Sequence, residues 1–317
     1  MRQFVRRVPF QTFYLLAWVV ALGVMAAYYA VGLVWDPSVL GLLDDLAHWL
    51  ARQHAYTSIL GIGRYAAAAR RPIALLIFLY AAAPTISALI VTAAVSGGAG
   101  VRRLLQRHQP WCAPVRPADV VPWYVVIVAG HLALVAGYLW MMHVRGPASA
   151  ADQAWRVLGG SVPAAAGVSL LGLFVDEGGT LEELGWRGFA LPRLVDRLGS
   201  PLAGAIVLGL LWAAWHLPEL LPYAVAHPTG AWTLTLAGFF LMCAADTVVM
   251  TFFYYRTGGS VLPAIMIHAS WNFRSKALAS PFEPRLWLVL GAALLTLLLA
   301  GPRLGQPRQA AGGALGV

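Results

Sequence analysis

Six polar side chains in the second half of this chain fall at spacings that suit acid–base chemistry. Glu182 and Glu183 are adjacent and Arg187 follows; farther on come His216, four residues after Trp212, and then His268 and Asn272, again four apart. Residues at i and i+4 share a helix face, so Glu183 and Arg187 suit an ion pair and His268 and Asn272 present polar groups to one side. Glu182 lies about 100° round the helix from Glu183 and lacks that local partner. A carboxylate and an imidazole on adjacent segments can take a proton from water, while histidine and asparagine can donate to a developing oxyanion. On this reading Glu182 and His216 activate water, His268 and Asn272 bind the oxyanion, and Glu183 with Arg187 holds the site's shape. Each pair also has a plain structural reading: charges at a helix start, an interfacial tryptophan and histidine, or polar contact between packed helices. Asn272 is the only asparagine in the chain, placed in an apolar run one turn from a histidine.

The elements that carry these groups are membrane segments. The chain has 317 residues, 60% of them hydrophobic and only 11% charged, against roughly a quarter charged in soluble domains. A spanning helix needs about 20 apolar residues. Runs near that length lie at 13–34, 73–95, 121–143, 161–177, 201–217, 232–255, 260–275 and 286–301, the fourth, fifth, seventh and eighth being short. They lack the alternation of barrel strands. The expected fold is all-α, a polytopic integral membrane protein with about eight transmembrane helices. Residues 1–160 hold the first three helices with an interfacial segment at 35–72. Residues 161–276 hold the candidate site, 277–301 the last helix, and 302–317 a disordered tail. The first apolar run is too long for a cleaved signal and reads as a membrane helix.

Gly178 and Gly179 are expected to break the chain, and Thr180 with Glu183 has the spacing of a capping box that restarts a helix. Asp246 reads as structural and off to the side. Asp176 and Glu177 read as interfacial, and His131 and His143 as packing residues. Cys112 and Cys243 read as free thiols.

The net charge of +9 comes from short arginine clusters between apolar runs, without the aromatic interleaving of a nucleic-acid site. With the N-terminus inside, thirteen of the 22 basic residues fall on the inner side, so both termini are expected to be cytoplasmic. One lysine stands against 21 arginines, a bias that suits a GC-rich bacterial gene and an inner (cell) membrane.

Glu-Glu-x-x-x-Arg at 182–187, aromatic-x-x-x-His at 212–216 and His-x-x-x-Asn at 268–272, in this order on successive membrane segments, resemble the CPBP family of intramembrane proteases. The name covers CAAX proteases and bacteriocin-processing (Abi) proteins, and the type II CAAX prenyl endopeptidases are relatives. The resemblance extends over about 81–276; Trp212 stands where the family usually has phenylalanine. It implies an intramembrane endopeptidase acting on peptides or membrane proteins, with the same division of labour and the first glutamate as base. The family is also labelled metalloprotease. No cofactor is expected here, and a zinc ion held by Glu182, His216 and His268 is the alternative. His-Glu-x-x-His is absent. A membrane transporter and a catalytically silent scaffold are the rival functions.

Overall fold

The computed structural model describes residues 2–145, 148–220, 230–278 and 282–306, and every regular element among them is a helix. In chain order they are α1 (Arg2–Arg7), α2 (Pro9–Val34), α3 (Leu42–Arg52), α4 (Ile59–Ala68), α5 (Leu76–Ala81), α6 (Ala83–Leu105), α7 (Pro117–Arg145) and α8 (Ala148–Val157). There follow α9 (Val162–Gly172), α10 (Glu177–Glu183), α11 (Leu191–Leu198), α12 (Pro201–Trp215), α13 (Gly230–Arg256), α14 (Leu262–Leu278) and α15 (Phe282–Ala300). A π-helical turn, Leu184–Ala190, joins α10 to α11.

Six stretches are long and apolar enough to cross a membrane: Pro9–Val34, Ala83–His108, Pro117–Val144, Val162–Leu198, Thr235–Arg256 and Phe282–Arg303. The protein is an all-α integral membrane protein, though the count differs from the eight segments expected. The 201–217 run forms only the 15-residue α12, and 260–275 lies in the 17-residue α14. These two carry His216, His268 and Asn272. A helix of 15 residues spans about 23 Å, short of the roughly 30 Å hydrocarbon core. α14 is enclosed by protein, with Ile265, His268, Ser270, Phe273 and Arg274 all buried. Enclosure lets it hold polar groups that lipid would penalise.

Prolines start several helices where no amide donor is needed: α2, α6, α9, α11 and α12 each have one in the first turn. Within 35–72, α3 buries Leu42, Leu46 and Leu50 and carries Asp44 and Asp45 in its first turn, where carboxylates favour the helix dipole. The Ile59 amide donates to the Val175 carbonyl at 2.8 Å, and Tyr56 packs edge-on against Phe273 with ring centres 5.1 Å apart. This segment is therefore fastened to the entrance of α10. Of the 302–317 tail, Leu304 is fully buried, and 307–317 lie outside the described residues.

Candidate active site

The chain before α10 does not break at the two glycines. It breaks at 173–176, and Asp176 caps the new helix, its Oδ2 accepting from the Gly179 amide at 2.7 Å. Thr180 is already inside the helix and its hydroxyl donates back to the Phe174 carbonyl at 2.8 Å. The expected capping box fails because a better-placed carboxylate, four residues earlier, takes the first free amides. Gly178 and Gly179 serve close approach instead. A Cβ on Gly179 would stand 2.8 Å from the Ile265 carbonyl oxygen of α14, and one on Gly178 would stand 3.0 Å from both His268 Nε2 and Asn272 Nδ2. Alanine is the better helix former, by roughly 1 kcal/mol, but overpacking costs about 1–3 kcal/mol. Gly179→Ala should therefore lower both thermal stability and turnover; equal or higher melting temperature would show that α10 and α14 have room to spare.

With α10 pressed on α14, the polar groups meet. Arg187 Nη1 donates to Glu183 Oε1 at 2.8 Å, and His268 Nδ1 meets the same oxygen at 2.8 Å. Glu183 and Arg187 are wholly buried. The other Arg187 arm, Nη2, donates to Thr247 Oγ1 of α13 at 2.8 Å, and its guanidinium lies 4.4 Å from the Trp212 ring centre. The ion pair read from the i, i+4 spacing is thus the knot that joins α10, α13 and α14.

Glu182 faces a different set of donors. The indole N–H groups of Trp212 and Trp186 both donate to its Oε2, at 2.9 and 3.2 Å. Among the described residues Oε1 has no protein donor. Trp212 also packs edge-on against both histidines, with ring centres 5.6 Å from His216 and 5.0 Å from His268. His216 Nδ1 donates to the Trp212 carbonyl at 2.9 Å. In each histidine Nδ1 is directed to an oxygen, so Nε2 is left for other chemistry.

Glu182, Trp212, His216, His268 and Asn272 line one cavity of about 720 Å³. Asp246 lines it too, and so is not off to the side: α13 brings it in one position before Thr247, the residue that binds Arg187. Asp176 and Glu177 are buried rather than interfacial. Lys276 donates to both, at 2.7 and 2.6 Å, and Asn272 Nδ2 donates to Asp176 Oδ2 at 2.9 Å. Spacing offered a signal for Lys276, because 268, 272 and 276 follow one helix face. No spacing links Asp176 to them across 96 residues. Tyr56 sits beside this group, and burial, then the Asp176 charge, pushes its hydroxyl well above the usual phenol range. His131 has partners as well. Its Nε2 donates to the Ser169 carbonyl at 3.0 Å, which leaves Nδ1 to accept from the Ser270 hydroxyl at 2.8 Å. His143 is exposed.

Zinc takes three or four close ligands. Among the described residues no three His, Cys, Asp or Glu side chains are grouped to hold a metal. Glu182, His216 and His268 do not form such a set in this arrangement.

Residues 162–274 match the family described as "Rce1-like: Type II CAAX prenyl endopeptidase Rce1-like". The chain is also 28% identical over 127 residues to "CAAX prenyl protease 2" of Methanococcus maripaludis, an overlap covering 37% of this chain and 45% of that protein. The chain thus spans less than half the length of the curated relative it matches. These similarities bear out the family resemblance read from the three motifs.

Proposed function

Starting from a bundle of membrane helices whose 162–274 segment is similar to Rce1-like endopeptidases, we propose that this protein hydrolyses peptide bonds of membrane-associated peptides or proteins. The observation that carries this reading is Glu182: two indoles fix one oxygen, and the other is without a protein donor among the described residues, in a cavity shared with two histidines. Glu182, with His216, takes the proton from a water that attacks the scissile carbonyl. Asn272 spends one N–H on Asp176 and has a second for the oxyanion.

His268 donates from Nε2 only when its ring is protonated, because Nδ1–H is held by Glu183. Charge balance favours that form. Glu182 and Glu183 carry two negative charges against the single positive charge of Arg187, and a proton on His268, which meets Glu183 Oε1, offsets the second. The imidazolium then supports the oxyanion and can return a proton to the leaving amine.

The cavity's other wall, with Val24, Met25, Leu42, Leu43, Ile73 and Ile77, is apolar, which fits a substrate with an apolar residue or attached chain. Bacterial peptide processing, as in bacteriocin maturation or self-immunity, is the setting proposed. The inner membrane with both termini cytoplasmic is the proposed location, and reporter fusions placing the ends on opposite faces would overturn that orientation.

Purified protein in detergent, incubated with a membrane-peptide panel, should release fragments from internal bonds. A zinc chelator should leave the rate unchanged. Transport of intact peptide into vesicles without cleavage would favour the transporter, neither activity would favour the silent scaffold, and chelator loss restored by zinc would favour metal-assisted hydrolysis.

A further inference from the structure

Of the charged groups in the cavity wall that have no part in water attack, two lie on adjacent helices. Asp246, on α13, and Arg285, in the first turn of α15, both line the cavity that holds Glu182 and His268. Among the described residues Asp246 Oδ1 is buried without a hydrogen-bond partner, and so is Arg285 Nε; the Trp271 side chain also interacts with the Asp246 carboxylate. All 13 acidic residues lie within the described segments, and none forms an ion pair with Arg285. The two groups act on each other electrostatically without direct contact, on helices that pack side by side. Buried, unsatisfied donors and acceptors are costly; the residues that carry these two line one cavity, where a ligand could satisfy both side chains.

The chemistry of that ligand follows from the pair. A carboxylate drawn to Arg285 would meet the charge of Asp246, and an ammonium drawn to Asp246 would meet Arg285. A neutral amide backbone has one donor and one acceptor and suits both. In an extended peptide, the N–H and C=O of one residue point to the same side, as in a sheet ladder. Adjacent helices offering an acceptor and a donor match that presentation.

We propose that Asp246 and Arg285 clamp the backbone of an extended peptide in the cavity, Asp246 accepting an N–H and Arg285 donating to a C=O at a residue outside the scissile bond. This rests on the peptidase reading above. The clamp sets register, placing one bond against Glu182 whatever the side chains.

The test measures binding of one fluorescent apolar peptide and its single-ester analogues, each ester removing one backbone N–H. Full-length protein in detergent is used in the Glu182→Gln background, so that bound peptide is not consumed. One ester position should weaken binding by about 10-fold or more, the scale of a hydrogen bond to a charged group. That penalty should vanish in Asp246→Ala and return in Asp246→Asn, which keeps an acceptor. Arg285→Ala should weaken peptide acids and peptide amides equally. An ester scan that is flat at every position would overturn the clamp, and the Glu182→Gln protein alone suffices for that measurement should Asp246→Ala fold poorly. Loss confined to peptides with a free carboxylate in Arg285→Ala would also overturn it, revealing an anion site. Ester-sensitive binding with no cleavage by wild-type protein would overturn hydrolysis but support the clamp; cleavage with a flat scan would do the reverse.

Discussion

Glu182→Gln should reduce turnover by about 10²–10⁴-fold, the usual contribution of a general base, with little change in melting temperature. Glutamine keeps a carbonyl oxygen where the Trp186 and Trp212 indoles donate, so the local hydrogen bonds persist. What it lacks is a proton acceptor for water. Substrate binding should be nearly unaffected, so kcat falls while KM holds. Activity, KM and melting temperature of the variant and wild type in one detergent test this. Near-normal turnover in a folded Glu182→Gln protein would remove Glu182 from the base role.

The opposite pattern is expected one residue on. Glu183 Oε1 receives both Arg187 and His268 at 2.8 Å, in a site with no solvent exposure. Removing one member of a buried ion pair costs about 3–5 kcal/mol, because the other charge is left uncompensated. Glu183→Gln should therefore lower the melting temperature and release His268 from its fixed tautomer, so that stability and turnover fall together. Arg187→Gln should resemble it, with the added loss of the Thr247 contact at 2.8 Å that ties α10 to α13. A glutamine pair at both positions should recover part of the stability, since two neutral amides can bond each other, but not the activity. A fully stable yet inactive Glu183→Gln protein would instead exchange the roles of the two glutamates.

The contrast between adjacent carboxylates shows how far local spacing reaches. Glu183 and Arg187 are four residues apart, and helix periodicity by itself puts them on one face; the 2.8 Å pair is that geometry realised. The same rule puts Glu182 on another face, free to meet other elements. Composition dictated the membrane class equally directly, because a chain with 60% hydrophobic residues has too little polar surface to cover a soluble globule. The order of the three motifs was enough to indicate the family resemblance.

What surrounds each group depended on helix crossings that no local rule encodes. Asp176 reads as a carboxylate at the water edge until α14 is laid against α10, when Asn272 and Lys276 arrive on it from about a hundred residues away. Asp246 has no partner at helical spacing, and only the packing of α13 brings it to the cavity. Trp186 lies at i+4 from Glu182, a pairing not drawn from the sequence, and its meeting with Trp212 on one oxygen required α12 to cross nearby. The apolar runs at 201–217 and 260–275 form helices shorter than the six long apolar stretches, and hydropathy measures burial without saying what provides it. α14 is buried by protein, and there polar groups can be satisfied. Local periodicity thus settled which face each residue shares with its near neighbours, and tertiary packing settled what that face meets, since such contacts join segments whose separation in sequence carries no geometric information.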